Sequence, residues 1–227
     1  MAYVSLVTTT AIQPLRFWST TLGKKAVVAV TGAVLFGYLI AHVAGNLQVF
    51  AGEAVIDGYA RFLHERPLLL WGQRLVVIAA VVLHVWGITE LYRLKQHARP
   101  TRYARNRHRG SPSSRWMLVS GVLVLAFLVF HILHFTTGHA HPSFQPVRPY
   151  SNMVTAFAEP VMVLVYVVAM LLVAVHLTHG LWSFTRSLGF DHPRYNLTTK
   201  NVAKGTTALL VLAFIVIPVG VFLGLAP

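Results

Sequence analysis

The amino-acid sequence predicts an all-α membrane protein of five transmembrane helices, the first four forming a four-helix bundle. Three observations carry that expectation. Of 227 residues 56% are apolar and only 11% are charged, against about 25% charged in an ordinary soluble domain. The mean hydropathy is +0.62. Apolar runs of about 20 residues, the length that crosses a bilayer, recur five times with the basic residues gathered between them. Disorder and a disulfide scaffold are excluded. The absence of cysteine removes thiolate zinc sites, cysteine nucleophiles and Cys-ligated iron–sulfur clusters from this chain.

The spans are expected at 26–50, 68–91, 116–137, 157–184 and 206–225, in a single transmembrane domain covering residues 1–227 with no internal repeat. A helix satisfies all of its backbone polar groups internally, so apolar runs of this length are helical in lipid. The first 20 residues begin with polar Thr8, Thr9 and Thr10 and show no short apolar core with a small-residue cleavage site; no cleaved signal peptide is expected, and insertion would use the first span. The proline-rich stretch from His139 to Tyr150 reads as an outer loop, its two histidines exposed. The fifth span carries no histidine and no charge, and is expected to pack outside the bundle, where it could mediate contacts in a higher oligomer. Trp71 and Trp116 suit an interfacial belt against membrane lipid.

The formal net charge of +13 is not a nucleic-acid footprint, because it is sorted by loop. Fifteen Lys and Arg fall on one side: Arg16, Lys24 and Lys25; the run Arg93, Lys95, Arg99, Arg102, Arg105, Arg107, Arg109 and Arg115; and Arg186, Arg194, Lys200 and Lys204. Only Arg61, Arg66, Arg74 and Arg148 fall on the other, three of them near Glu53, Asp57 and Glu65. Short cytoplasmic loops hold the basic excess. The N-terminus is therefore expected inside and the C-terminus outside.

Twelve histidines are present. His42, His84, His131, His134, His176 and His179 lie within spans, where an ionisable side chain is costly and usually functional. At a rise of roughly 1.5 Å per residue, His42 and His131 lie about 24–25 Å from the inner edge, and His84 and His176 about 24–30 Å from the outer edge. Two bis-histidine layers follow, separated by about 10–20 Å in a span of roughly 35 Å. Zinc would want further ligands, whereas two facing imidazoles in an apolar helix bundle suit a low-spin haem. A histidine-based proton relay or transporter without haem is the competing use, but relays include carboxylates and the spans offer only Glu90 and Glu159. His134 and His179 each follow a deeper histidine by three residues on the same helix face. Each lies a turn nearer water, where water or a haem propionate could satisfy it, so His131 and His176 are the expected ligands.

Gly23-Lys24-Lys25-Ala26, Thr31-Gly32, His42-Val43-Ala44-Gly45-Asn46, His84-Val85-Trp86-Gly87, Ala98-Arg99-Pro100 with Tyr103, Phe130-His131 and, most specific, His176-Leu177-Thr178-His179-Gly180-Leu181-Trp182-Ser183-Phe184 resemble, nearly end to end, the di-haem cytochrome b (b558-type) membrane anchor of succinate dehydrogenase and fumarate reductase. The resemblance implies one ligand histidine on each of the first four helices, at His42, His84, His131 and His176. His42 and His131 would hold the distal haem iron, and His84 and His176 the proximal one; position 179 is not a ligand in that family. It further implies a prokaryotic cytoplasmic-membrane subunit of a succinate:quinone oxidoreductase, with two haem b. Such a subunit passes electrons from an iron–sulfur subunit to a membrane quinone, menaquinone being usual for this anchor type, with the quinone reduced near the distal haem. Flavoprotein and iron–sulfur subunits would dock on the basic cytoplasmic face, and the fumarate-reducing direction stays open. Ala174 stands where some relatives carry a glutamate serving a transmembrane proton path. The di-haem anchor of another respiratory enzyme, such as a hydrogenase or formate dehydrogenase, is a further alternative.

By position, Tyr59, His64, Glu65 and Arg66 are candidate quinone contacts on the first outer loop, where a quinone carbonyl needs a donor with a proton supply. Ser19, Lys25, Arg115 and His179 are candidate partners for haem propionates, which need cationic or hydroxyl donors. Gly32, Gly37 and Gly121 would let helices or a porphyrin approach closely.

Overall fold

The structure is a computed structural model describing residues 17–98, 112–187, 189 and 192–227. Its elements are a short 3-10 turn at Phe17–Ser19, α1 (Thr21–Asn46), a 3-10 turn at Leu47–Ala51, α2 (Glu53–His64), α3 (Pro67–His97), α4 (Pro112–Phe135), α5 (Pro149–Phe157), α6 (Pro160–Ser187) and α7 (Pro193–Phe222). Five of these helices open on a proline, whose fixed φ suits the first turn and whose missing N–H costs nothing there. Thr20 caps α1, its side chain accepting from Gly23 N at 3.0 Å. All five expected spans are present as helices long and apolar enough to cross a membrane, in α1, α3, α4, α6 and α7.

The helices outrun the apolar stretches. α3 continues to His97 and α7 begins at Pro193, because backbone hydrogen bonding does not stop where hydropathy falls. Two amphipathic helices, α2 and α5, occupy stretches expected as loop. They are held by buried Ile56 and Asp57 in one and by buried Asn152, Met153, Ala156 and Phe157 in the other.

α1 packs along α3, and α4 along α6, with α1 also touching α6. The α1–α3 approach is set at Gly87, where a Cβ would fall 2.7 Å from Val28 Cγ2. Beside it Lys24 Nζ, almost wholly buried, pairs with Glu90 at 2.8 Å. We call this the basic end. At the other, capped end, α2, α5 and the last residues meet. Arg148 pairs with Glu53 and, at 3.5 Å, with Asp57, whose Oδ1 accepts from Tyr150 N at 3.0 Å. The Tyr150 hydroxyl donates to the carbonyl of Pro227.

The fifth span is not peripheral. α7 runs along α6 and also meets α1 and α5, and it is the most buried of the five spans. Gly220 admits Phe50, whose Cζ would lie 2.7 Å from a Cβ there, and Phe214 comes within 6.1 Å of the His42 ring. By contrast Leu68, Leu209 and Leu22 stand fully out from the bundle, which is where acyl chains replace water.

Candidate functional site

Near the capped end the rings of His42 on α1 and His131 on α4 face each other, centres 5.7 Å apart and edge-on. Near the basic end His84 on α3 and His176 on α6 do the same at 6.4 Å, tilted by 59°. All four are half-buried. A nitrogen-to-metal bond is about 2 Å, and a ring centre lies about 1 Å behind its nitrogen. Two imidazoles on opposite sides of one ion therefore put their centres about 6 Å apart.

The vertical separation can be read on two helices independently. Gly32 lies against His84, and His42 follows it by ten residues on α1; Gly121 lies against His176, and His131 follows it by ten residues on α4. Both give a layer spacing of about 15 Å. Among the described residues no group of three or more His, Asp or Glu side chains is placed to hold a metal ion. Each layer offers two facing imidazoles.

The surroundings of the two layers differ. His84 Nδ1 lies 3.1 Å from Thr31 Oγ1, which itself donates to Val27 O at 2.7 Å. His176 Nδ1 and His179 Nδ1 are buried without a hydrogen-bond partner. In the capped-end layer the Tyr166 hydroxyl lies 3.3 Å from His131 Nδ1 and 2.9 Å from His134 Nδ1, and His42 stacks on Tyr38 at 5.4 Å.

His134, expected a turn closer to water, is instead 1% exposed, stacked between Phe130 and His141. His141, expected exposed, is buried as well, with Nε2 donating to Asn152 O at 3.0 Å and Nδ1 accepting from Ser143 N at 3.2 Å. The folded loop from Gly138 to Tyr150 closes over this end and excludes water from both rings. His139 stays exposed, beside Thr137.

Of the candidate quinone contacts, Tyr59 is 40% exposed but lies against α1, its Cε1 3.2 Å from where a Cβ on Gly45 would stand, one turn beyond His42. His64, Glu65 and Arg66 are exposed at the end of α2. His64 Nδ1 donates to Ala60 O, and Arg66 donates to Phe62 O while covering the Phe62 ring. The structure does not bring these three to the His42 ring. Among the propionate candidates Ser19 and Lys25 are exposed at the basic end, His179 lies edge-on to Trp182, and the Arg115 side chain lies outside the described residues. Tyr166, Thr31 and Lys24 are the polar groups that sequence reading assigned no part in the site. Gly37 contacts nothing beyond its own helix.

No family model matches the chain, and no solved structure matches it. A curated relative does. The chain is 24% identical over 157 residues to the succinate dehydrogenase cytochrome b558 subunit of Bacillus subtilis (strain 168), covering 67% of this chain and 72% of that one. This is distant homology to a subunit of a succinate dehydrogenase complex.

Proposed function

We propose that this chain is the membrane anchor and electron-transfer subunit of a succinate:quinone oxidoreductase, holding two b haems and serving a membrane quinone, in the first instance menaquinone. The observation that carries the reading is the pair of facing-histidine layers about 15 Å apart, inside five apolar spans. The ring separations of 5.7 and 6.4 Å leave room for one metal ion between two imidazoles. Gly32 and Gly121 keep the edges of His84 and His176 clear. The distant homology to a cytochrome b558 points the same way.

In this reading His42 and His131 would hold the distal haem, and His84 and His176 the proximal one. Bound there, haem would supply a one-electron carrier. The chain's own residues would offer the imidazole nitrogens, exclude water with apolar helices, and shield the distal layer with the folded cap. Lys24 and Glu90 pair α1 with α3 at the basic end, and the basic excess supports reading that end as the cytoplasmic one. There the flavoprotein and iron–sulfur subunits would dock. Tyr59 is the strongest of the four candidate quinone contacts by position.

The test is purification of the complex in mild detergent with a dithionite-reduced minus oxidised spectrum, pyridine haemochrome quantitation and identification of co-purifying subunits. Two b haems per chain with reduction by succinate is the expected result. A haem-free complex would sink the reading and favour a histidine relay; co-purification with a hydrogenase or formate dehydrogenase would replace the enzyme but keep the haems.

A further inference from the structure

α1 and α4 carry one short pattern in the same register. A hydroxyl residue stands directly before a glycine, and a histidine follows that glycine by ten positions: Thr31, Gly32 and His42 on α1, and Ser120, Gly121 and His131 on α4. Both hydroxyl residues are buried, Thr31 to 7% exposure and Ser120 to 2%. The two glycines meet the basic-end histidines in the same way. A Cβ on Gly32 would lie 3.4 Å from His84 Cε1 and 3.8 Å from its Nδ1; one on Gly121 would lie 3.4 Å from His176 Cε1 and 3.6 Å from its Nδ1. His84 and His176 are thus seated alike on two different helices.

On α1 the Thr31 hydroxyl lies 2.7 Å from Val27 O and 3.2 Å from Val28 O; with its one proton given to these backbone carbonyls, the oxygen accepts toward His84 Nδ1 at 3.1 Å. A neutral imidazole carries one N–H, which this contact fixes on Nδ1, leaving Nε2 with its lone pair. On α4 Ser120 Oγ likewise donates to a backbone carbonyl, that of Met117, at 3.2 Å, so its lone pairs too can serve only as acceptors. His176 Nδ1, beside the next residue of that helix, is buried and lacks a partner. An unpartnered buried polar atom is costly; Ser120, which does not reach His176 Nδ1 here, holds the register position from which Thr31 reaches His84.

We propose that Thr31 and Ser120 are matched positioning residues, each accepting the Nδ1–H of one basic-end imidazole so that His84 and His176 both present a bare Nε2 to the same iron. This rests on the reading of those two histidines as haem ligands. A hydrogen bond from Nδ1–H to an acceptor makes the ring a stronger electron donor and so favours the oxidised form of the metal it binds. Losing the acceptor makes the inner haem easier to reduce.

The test uses the whole membrane complex with its partner subunits. Thr31→Val keeps the side-chain shape and removes the acceptor, as does Ser120→Ala; Thr31→Ser and Ser120→Thr keep the hydroxyl. Haem content is counted first, then each haem is titrated potentiometrically and followed by low-spin EPR, the inner component being the one lost in His84→Ala. Each acceptor-less variant is expected to retain two haems. Each should move the reduced-to-oxidised ratio of the inner haem, at the wild-type midpoint, toward reduced, with the outer haem unmoved and the hydroxyl variants restored. If Thr31→Val fails to assemble, Thr31→Ala gives the same reading. An unchanged inner potential and EPR signal in variants that keep both haems would overturn the proposal. A shift for Thr31→Val without one for Ser120→Ala would overturn the matching. A wild-type complex without haem overturns the ligand reading itself, before any variant is compared.

Discussion

At the basic end His84 and His176 rest on Gly32 and Gly121, beside Thr31 and close to the Lys24–Glu90 pair. At the capped end His42 and His131 sit among Tyr38, Phe127, Phe135, Tyr166 and Phe214. The first pair is seated on glycines, with the Thr31 hydroxyl beside His84. The second is enclosed by aromatic rings and roofed by a loop whose His141 is hydrogen-bonded to Asn152 on α5. The contrast shows two ways of holding an imidazole in an apolar bundle: close helix approach, which leaves room at the ring edge, and aromatic packing, which fills it. In the capped-end layer one hydroxyl, that of Tyr166, faces two histidine nitrogens, so it can give its proton to only one of them and accept from the other.

The largest effect should come from deleting a ring. His42→Ala or His131→Ala is expected to leave one haem per chain, and His84→Ala or His176→Ala the other one, counted by pyridine haemochrome and distinguished by EPR; loss of both haems from every variant would show that the layers are not independent. Next in size is Gly87→Leu, whose Cβ would already meet Val28 Cγ2 at 2.7 Å. Overpacking there should cost about 3 kcal/mol, and thermal melts in detergent should show inner haem released before outer.

Tyr166→Phe removes a shared hydroxyl from two buried nitrogens and should destabilise the complex by about 2 kcal/mol. It should shift the potential of the outer haem alone, which would place the two layers under separate control. The smallest effect belongs to Glu65→Gln at the exposed end of α2. Quinone reduction there should stay within about twofold of wild type, the roughly 0.5 kcal/mol expected of a surface change; a tenfold loss would return His64, Glu65 and Arg66 to the quinone site.

Both layers were legible in the sequence because depth along a helix is counted in residues, and a rise of about 1.5 Å each sorts His42 with His131 and His84 with His176. Five helices open on a proline, at Pro67, Pro112, Pro149, Pro160 and Pro193, although proline in the stretch up to Tyr150 was read as a sign of loop. The amphipathic helices α2 and α5 were not legible as helices. Their polar content looks like loop, and what holds them is contact with other elements: Asp57 with Tyr150 and Arg148, Asn152 with Gln145.

The burial of His134 and His141 depends on a loop folding back on α4, which spacing along the chain does not encode. The same holds for α7. A span without charge or histidine gives no clue to its neighbours, and only the assembled bundle brings Phe214 to His42 and Phe50 to Gly220.

The sequence by itself determined the five spans, the sorting of basic residues and the two histidine depths, because length, charge and rise are properties of one chain read in order. Tertiary structure decided which side chain meets which ring. Thr31 reaches His84 across 53 positions and Tyr166 reaches His134 across 32. Those meetings depend on the rotation of each helix about its axis and on the distance at which neighbours pack, and both are fixed only when all the helices bury their contacts together.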